Sequence, residues 1–245
     1  MALNVKINET EYRLPLFASD ITLEKFIDLV KLEQAEMPEE LKQVIEEPDI
    51  EQRRWKAGRM PKRIYARKIV PYYAKAISTV TGVPEKVLLG DKKHDGAPVR
   101  LIETWYWNMV NSLARFKPDT GKDSFLIDGE RWVLPKENMK SSTFGEFAEA
   151  AQYEEYQADA AAGNWDKMPF VMAILLKPEG EQYDPYTFGN DDFIEGRAEI
   201  MKRQTMDLVY QVSFFLLRRS ENSKTDSLIY TIARRLGISR LAATS

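Results

Sequence analysis

The segment that most restricts how this chain can fold is residues 125–135, Phe-Leu-Ile-Asp-Gly-Glu-Arg-Trp-Val-Leu-Pro. Two runs of strand-forming residues flank Asp128-Gly129, and that pair supplies the positive φ angles a two-residue hairpin turn needs. The chain opens on the same pattern: Val5 and Ile7, a turn at residues 8–10, then Tyr12 and Leu14, closed by Pro15. Laid over one another, Ile7 meets Ile127, Asn8 meets Asp128, Tyr12 meets Trp132, Leu14 meets Leu134 and Pro15 meets Pro135. One residue of slip later, Thr22 meets Thr143, Leu23 meets Phe144, Phe26 meets Phe147 and Glu33 meets Glu154. Val70-Pro71-Tyr72-Tyr73-Ala74 also resembles Met168-Pro169-Phe170-Val171-Met172. Internal similarity of this kind precedes any decision on fold.

The rest of the chain reads as helix. Phe26, Leu29, Val30 and Leu32 form one apolar stripe after a cap at Asp20 or Thr22. Further helices are expected from Pro38, through Ile64, Ile69, Tyr72 and Tyr73 up to Gly82, and over 85–89, 99–116, 165–177 and 197–219. Polar loops are expected at 90–98 and 179–196. The fold class expected is mainly α with two short β-hairpins (α+β), in two related halves from a tandem duplication. The first half runs over 1–118 and the second over 122–219. Residues 220–245 form a polar hinge and an amphipathic tail helix.

No cysteine is present, which excludes disulfides, thiolate metal sites and cysteine nucleophiles. The opening residues lack a basic-then-apolar leader pattern. The longest apolar run, residues 170–176, is far short of the roughly 20 residues of a spanning helix. A cytoplasmic setting without membrane contact is therefore expected. The one histidine, His94, rules out a multi-histidine metal site and reads as a solvated loop residue. Gly121-Lys122-Asp123-Ser124 lacks the earlier glycine of a phosphate loop and precedes a strand rather than a helix. Asp184, Asp191, Asp192 and Glu195 do not have calcium-loop spacing. No catalytic residue, metal or cofactor is expected.

Charge is segregated despite a net charge of only −3. Glu36, Glu39, Glu40, Glu46, Glu47, Asp49 and Glu51 are followed by Arg53, Arg54, Lys56, Arg59, Lys62, Arg63, Arg67 and Lys68. With Trp55 and Tyr65 interleaved, the basic run has the ingredients of a nucleic-acid site. The acidic run lies within reach of a Debye length of about 8 Å. It favours internal pairing or a protein partner instead. Candidate partner-binding residues here are Arg53, Arg54, Trp55, Lys56 and Arg59. Trp105, Tyr106 and Trp107 cannot share one helix face, so Trp105 and Trp107 are either interface anchors or part of a helix buried on all sides. Leu228, Ile229, Ile232 and Leu236 line the tail helix, which either packs on its own half or docks in a partner's groove.

One resemblance rests on Ser142-Thr143-Phe144-Gly145-Glu146-Phe147, on Gly163-Asn164-Trp165, on Met168-Pro169 running to Asp184, and on Phe214-Phe215-Leu216-Leu217. These stretches resemble helix-rich proteins of the tail gene clusters of tailed bacteriophages and prophages, some described as tail assembly chaperones. The resemblance implies a non-enzymatic phage protein that binds other phage structural or assembly proteins, possible self-association, and a place in the host cytoplasm during assembly or in the virion. It carries no catalytic residues.

Overall fold

The computed structural model describes residues 3–7, 10–15, 17–47, 49–90, 96–114, 119, 122–134, 164–181 and 191–220. His94, Gly121, Asp184, residues 158–163, whose alanine-rich run closed by Gly163 reads as a further helix, and the tail helix expected from Leu228 to Leu236 lie outside the described residues. The chain is mainly helical, with small antiparallel sheets. It divides into two compact units: residues 3–21 and 25–114 belong to the first, and residues 22–24 with the described residues from 119 to 220 to the second. Among the described residues no helix is long and apolar enough to cross a membrane.

The first unit opens with the hairpin β1 (Leu3–Ile7) and β2 (Thr10–Leu14), in register Val5 to Tyr12 and Ile7 to Thr10. Helices α1 (Leu23–Glu36), α2 (Glu39–Ile45) and α3 (Ile50–Gly58) follow. Asp49 caps α3, its carboxylate accepting the N–H groups of Glu51 and Gln52 at 2.8 Å each. Pro61 separates α3 from the next helical stretch, α4 (Lys62–Ile64), a π turn at Tyr65–Ile69 and α5 (Val70–Thr81).

The π turn has a cause in the sequence. Pro71 has no N–H, and its ring crowds the carbonyl four residues back, at Arg67. Widening the helix just before it, so that the Val70 N–H reaches the Tyr65 carbonyl, keeps the helix continuous through the proline. Gly82 ends α5 at φ 76°, in the left-handed region glycine adopts without penalty. After α6 (Glu85–Leu89), α7 (Val99–Ala114) packs on α5. Ile102, Trp105, Tyr106, Met109 and Leu113 bury one stripe of α7, and Tyr72, Tyr73, Ala76, Ile77 and Val80 bury the facing side of α5. Each large side chain so buried contributes about 1.5–3 kcal/mol.

In the second unit, β3 (Ser124–Ile127) and β4 (Glu130–Val133) form the expected hairpin, with Asp128 at φ 50° and Gly129 at φ 84°. Phe125, Ile127 and Trp132 point to the buried face, and Leu126 to the open one. Residues 165–177 are not one helix. A 3₁₀ turn (Trp165–Lys167) leads into α8 (Met168–Leu175), and the chain then straightens into β5 (Lys177–Pro178), which adds a third strand beside β4. Pro178 cannot continue a helix but is tolerated on a sheet edge.

The single helix expected over 197–219 is two, α9 (Asp191–Lys202) and α10 (Met206–Ser220). Thr205 starts α10, its carbonyl accepting from Leu208 and Val209 and its hydroxyl bonding Asp207. The break also exposes backbone for pairing: Thr22 bridges Thr205, and the Leu23 N–H donates to the Gln204 carbonyl at 2.8 Å. α8 is buried nearly all round and packs against α9.

Candidate functional site

The acidic and basic runs meet in the first unit. Glu47 pairs with Lys56 at 2.5 Å, Glu40 with Lys68 at 2.6 Å and Glu36 with Lys75 at 2.5 Å. The hydrogen bond from Lys68 holds the Glu40 carboxyl below its ordinary range, and that from Lys56 does the same for Glu47. Glu36 to Lys75 ties the end of α1 to α5, Glu40 to Lys68 ties α2 to the π turn, and Glu47 to Lys56 ties the turn after α2 to α3.

The pairing is selective. Lys56, Lys68 and Lys75 are taken up by carboxylates, whereas Arg59, Lys62, Arg63 and Arg67 are exposed and, among the described residues, have no ion-pair partner. No Asp or Glu occurs between Gln52 and Pro84 to neutralise them locally. Trp55 is 56% exposed, with the Arg59 guanidinium 4.2 Å from its ring centroid. Arg53 and Arg54 lie on α3, but their side chains are outside the described set.

The aromatic triplet sits differently. Trp105 and Tyr106 are buried, and Trp107 is half-buried, edge-on to Tyr73 and Tyr106. Tyr106 stacks on Tyr73 at 4.2 Å between centroids. Burial pushes the hydroxyls of Tyr72, Tyr73 and Tyr106 well above their ordinary range, so they stay protonated at any ordinary pH. Beside this cluster a small pocket lies between Leu14, Pro15, Ile77, Trp105 and Met109, with Thr81 and Asn108 its polar members. Its free volume of about 10 Å³ is close to that needed for one water, and no titratable side chain lines it.

The second unit holds a charged group that the sequence pattern did not single out. Arg197, 6% exposed, lies between the rings of Trp132 and Phe193, at 5.2 and 4.6 Å, and forms an ion pair with Glu181. Its signal was weak because Trp132, Glu181 and Arg197 are far apart in the chain and join only when β5 aligns with β4. Lys122, from the loop resembling a phosphate site, lies over the Phe125 ring at 5.2 Å and leads into a strand. Asp192 and Glu195 are exposed on α9, and among the described residues no cluster of His, Asp or Glu could hold a metal ion.

Compared with protein families, with curated sequences and with solved structures, the chain matches none.

Proposed function

We propose that this chain is a non-enzymatic assembly protein of the tailed-phage type, which binds other phage proteins in the manner of a tail assembly chaperone. The observation that carries this reading is the sorting of charge in the first unit. Lys56, Lys68 and Lys75 are used internally, while Lys62, Arg63 and Arg67 remain as an outward-facing cationic surface. Arginine suits that role, because its planar fork binds carboxylates bidentately and is weakly hydrated. Arginine is also enriched at protein interfaces, where lysine is depleted. The resemblance of the second half to tail-cluster proteins supplies the setting.

The test is affinity capture from phage-producing cells, comparing the natural chain with an Arg63→Glu/Arg67→Glu variant that retains its helical spectrum. A phage protein held by the first and lost by the second supports the reading, and identical capture profiles overturn it. Mass spectrometry of purified particles separates the two forms of the proposal. A chaperone is absent from them, and a ring, neck, tail or baseplate subunit is present. A nucleic-acid factor is the remaining alternative. It requires a steeply salt-dependent shift of a labelled oligothymidylate that the same variant abolishes.

We also propose that the two hairpin-led halves arose by duplication. The hairpins support this: Val5 pairs with Tyr12 as Phe125 pairs with Trp132, and Ile7 with Thr10 as Ile127 with Glu130, the same register displaced by 120 residues. In addition, α5 and α8 each carry proline in the first turn.

A further inference from the structure

The exposed face of α3 has an order that internal packing does not require. Glu51, Trp55 and Arg59 are spaced four residues apart, which places them in one stripe with acid at one end, base at the other and an exposed tryptophan between. Beside Trp55 the same face carries Gln52 and Gly58, and the space around Gly58 is open. Among the described residues neither Glu51 nor Arg59 has an ion-pair partner. The helix dipole accounts for acid at the N-terminal end and base at the C-terminal end. It does not account for a large aromatic group left in water at the midpoint of the stripe.

A stripe that reads acid, aromatic, base is complementary to itself when reversed. We infer that α3 is a self-association surface, on which a second copy of this chain lays its own α3 antiparallel about a twofold axis. Glu51 then faces Arg59 of the second copy, Arg59 faces its Glu51, Gln52 faces its Gly58, and the two Trp55 rings meet near the axis in the room Gly58 leaves. Such an interface is isologous and closes at two copies. Two nine-residue helices bury far less than the roughly 1,600 Å² of a standard interface, so the dimer is weak and concentration-dependent. This surface is separate from Lys62, Arg63 and Arg67, so its failure leaves the partner-binding reading standing, and the converse holds.

Sedimentation equilibrium over a concentration series tests the inference, with circular dichroism confirming that each variant folds. The natural chain is expected to dimerise. Glu51→Arg and Arg59→Glu each place like charges opposite one another and are expected to weaken association at least about tenfold. An equimolar mixture of the two variants restores complementarity and is expected to dimerise again, as is the double variant carrying both changes. Because the chain has no cysteine, Gln52→Cys mixed with Gly58→Cys is expected to cross-link more readily than either variant alone. A natural chain that stays monomeric overturns the inference. So does a dimer indifferent to both charge reversals, or oligothymidylate binding at Trp55 that Glu51→Arg strengthens in a chain that never self-associates.

Discussion

Each unit contains an arginine against a tryptophan, and the two contacts serve different ends. Arg59 lies over Trp55 at 4.2 Å on the surface of α3, with the ring more than half exposed. Arg197 lies 5.2 Å from Trp132, closed in by Phe193 and tied to Glu181. The chemistry of attraction is the same, since both place a cation on the negative face of an aromatic ring. Burial decides the rest. In water the exposed pair costs little to separate, so both groups remain available to another molecule. In the interior, separating the pair leaves a charge without solvent, and the contact becomes a staple between β4, the turn after β5 and α9.

The sharpest way to break this contrast is Arg197→Ala. Arg197 is buried against Trp132 and Phe193 while Glu181 keeps access to water, so the loss comes mainly from vacated packing, about 2 kcal/mol or more, and urea unfolding is expected to show a loss of that order. A loss under about 1 kcal/mol would mean that Arg197 behaves as a surface charge. Arg197→Lys keeps the charge but not the flat group that stacks between two rings. Its loss is expected to fall between those of the alanine variant and the natural chain.

The contrast was half legible in the sequence. The hairpin at Asp128-Gly129 was readable because a two-residue turn with two positive φ angles leaves few residue choices. The stripe of α1 was readable because one buried face imposes a period. The acid–base pairing was anticipated because the runs adjoin, yet which cations would remain outside was not, since that depends on how α2 lies along the π turn. The break between α9 and α10 was missed although Thr205 followed by Met206-Asp207 has the form of a helix start. The apolar periodicity running through it outweighed the cap. β5 was missed because a two-residue strand has no period, and Arg197 because its partners come from three separate elements.

On the exposed side of the comparison the effects are smaller. Asp49→Ala removes the carboxylate that caps α3 at two N–H groups and is expected to cost about 1 kcal/mol. It should also loosen the stripe on which Trp55 sits, seen as a red shift and greater quencher access in tryptophan fluorescence. Arg59→Ala is expected to change stability by about 0.5 kcal/mol or less while raising quencher access at Trp55. If it destabilised the chain as much as Arg197→Ala, exposure would not be what separates the two contacts.

The smallest expected effect separates titrating from non-titrating contacts on the same surface. Glu40 and Glu47 have folded-state pKa values held below the 4.5 of a free carboxyl by hydrogen bonds from Lys68 and Lys56. A depressed carboxylate pKa means the unfolded chain binds protons more readily than the folded one. The contribution of each pair is therefore complete above the unfolded value and is lost as pH falls through the folded one. The stability difference between the natural chain and a Lys56→Met/Lys68→Met variant should be constant from about pH 7 to about pH 5 and shrink below the free-carboxyl value. The difference caused by Arg59→Ala should stay flat across the same range, because Trp55 does not titrate. A lysine-variant difference that persists undiminished in acid would show that the two lysines act through packing of their stems rather than through the carboxylates they face.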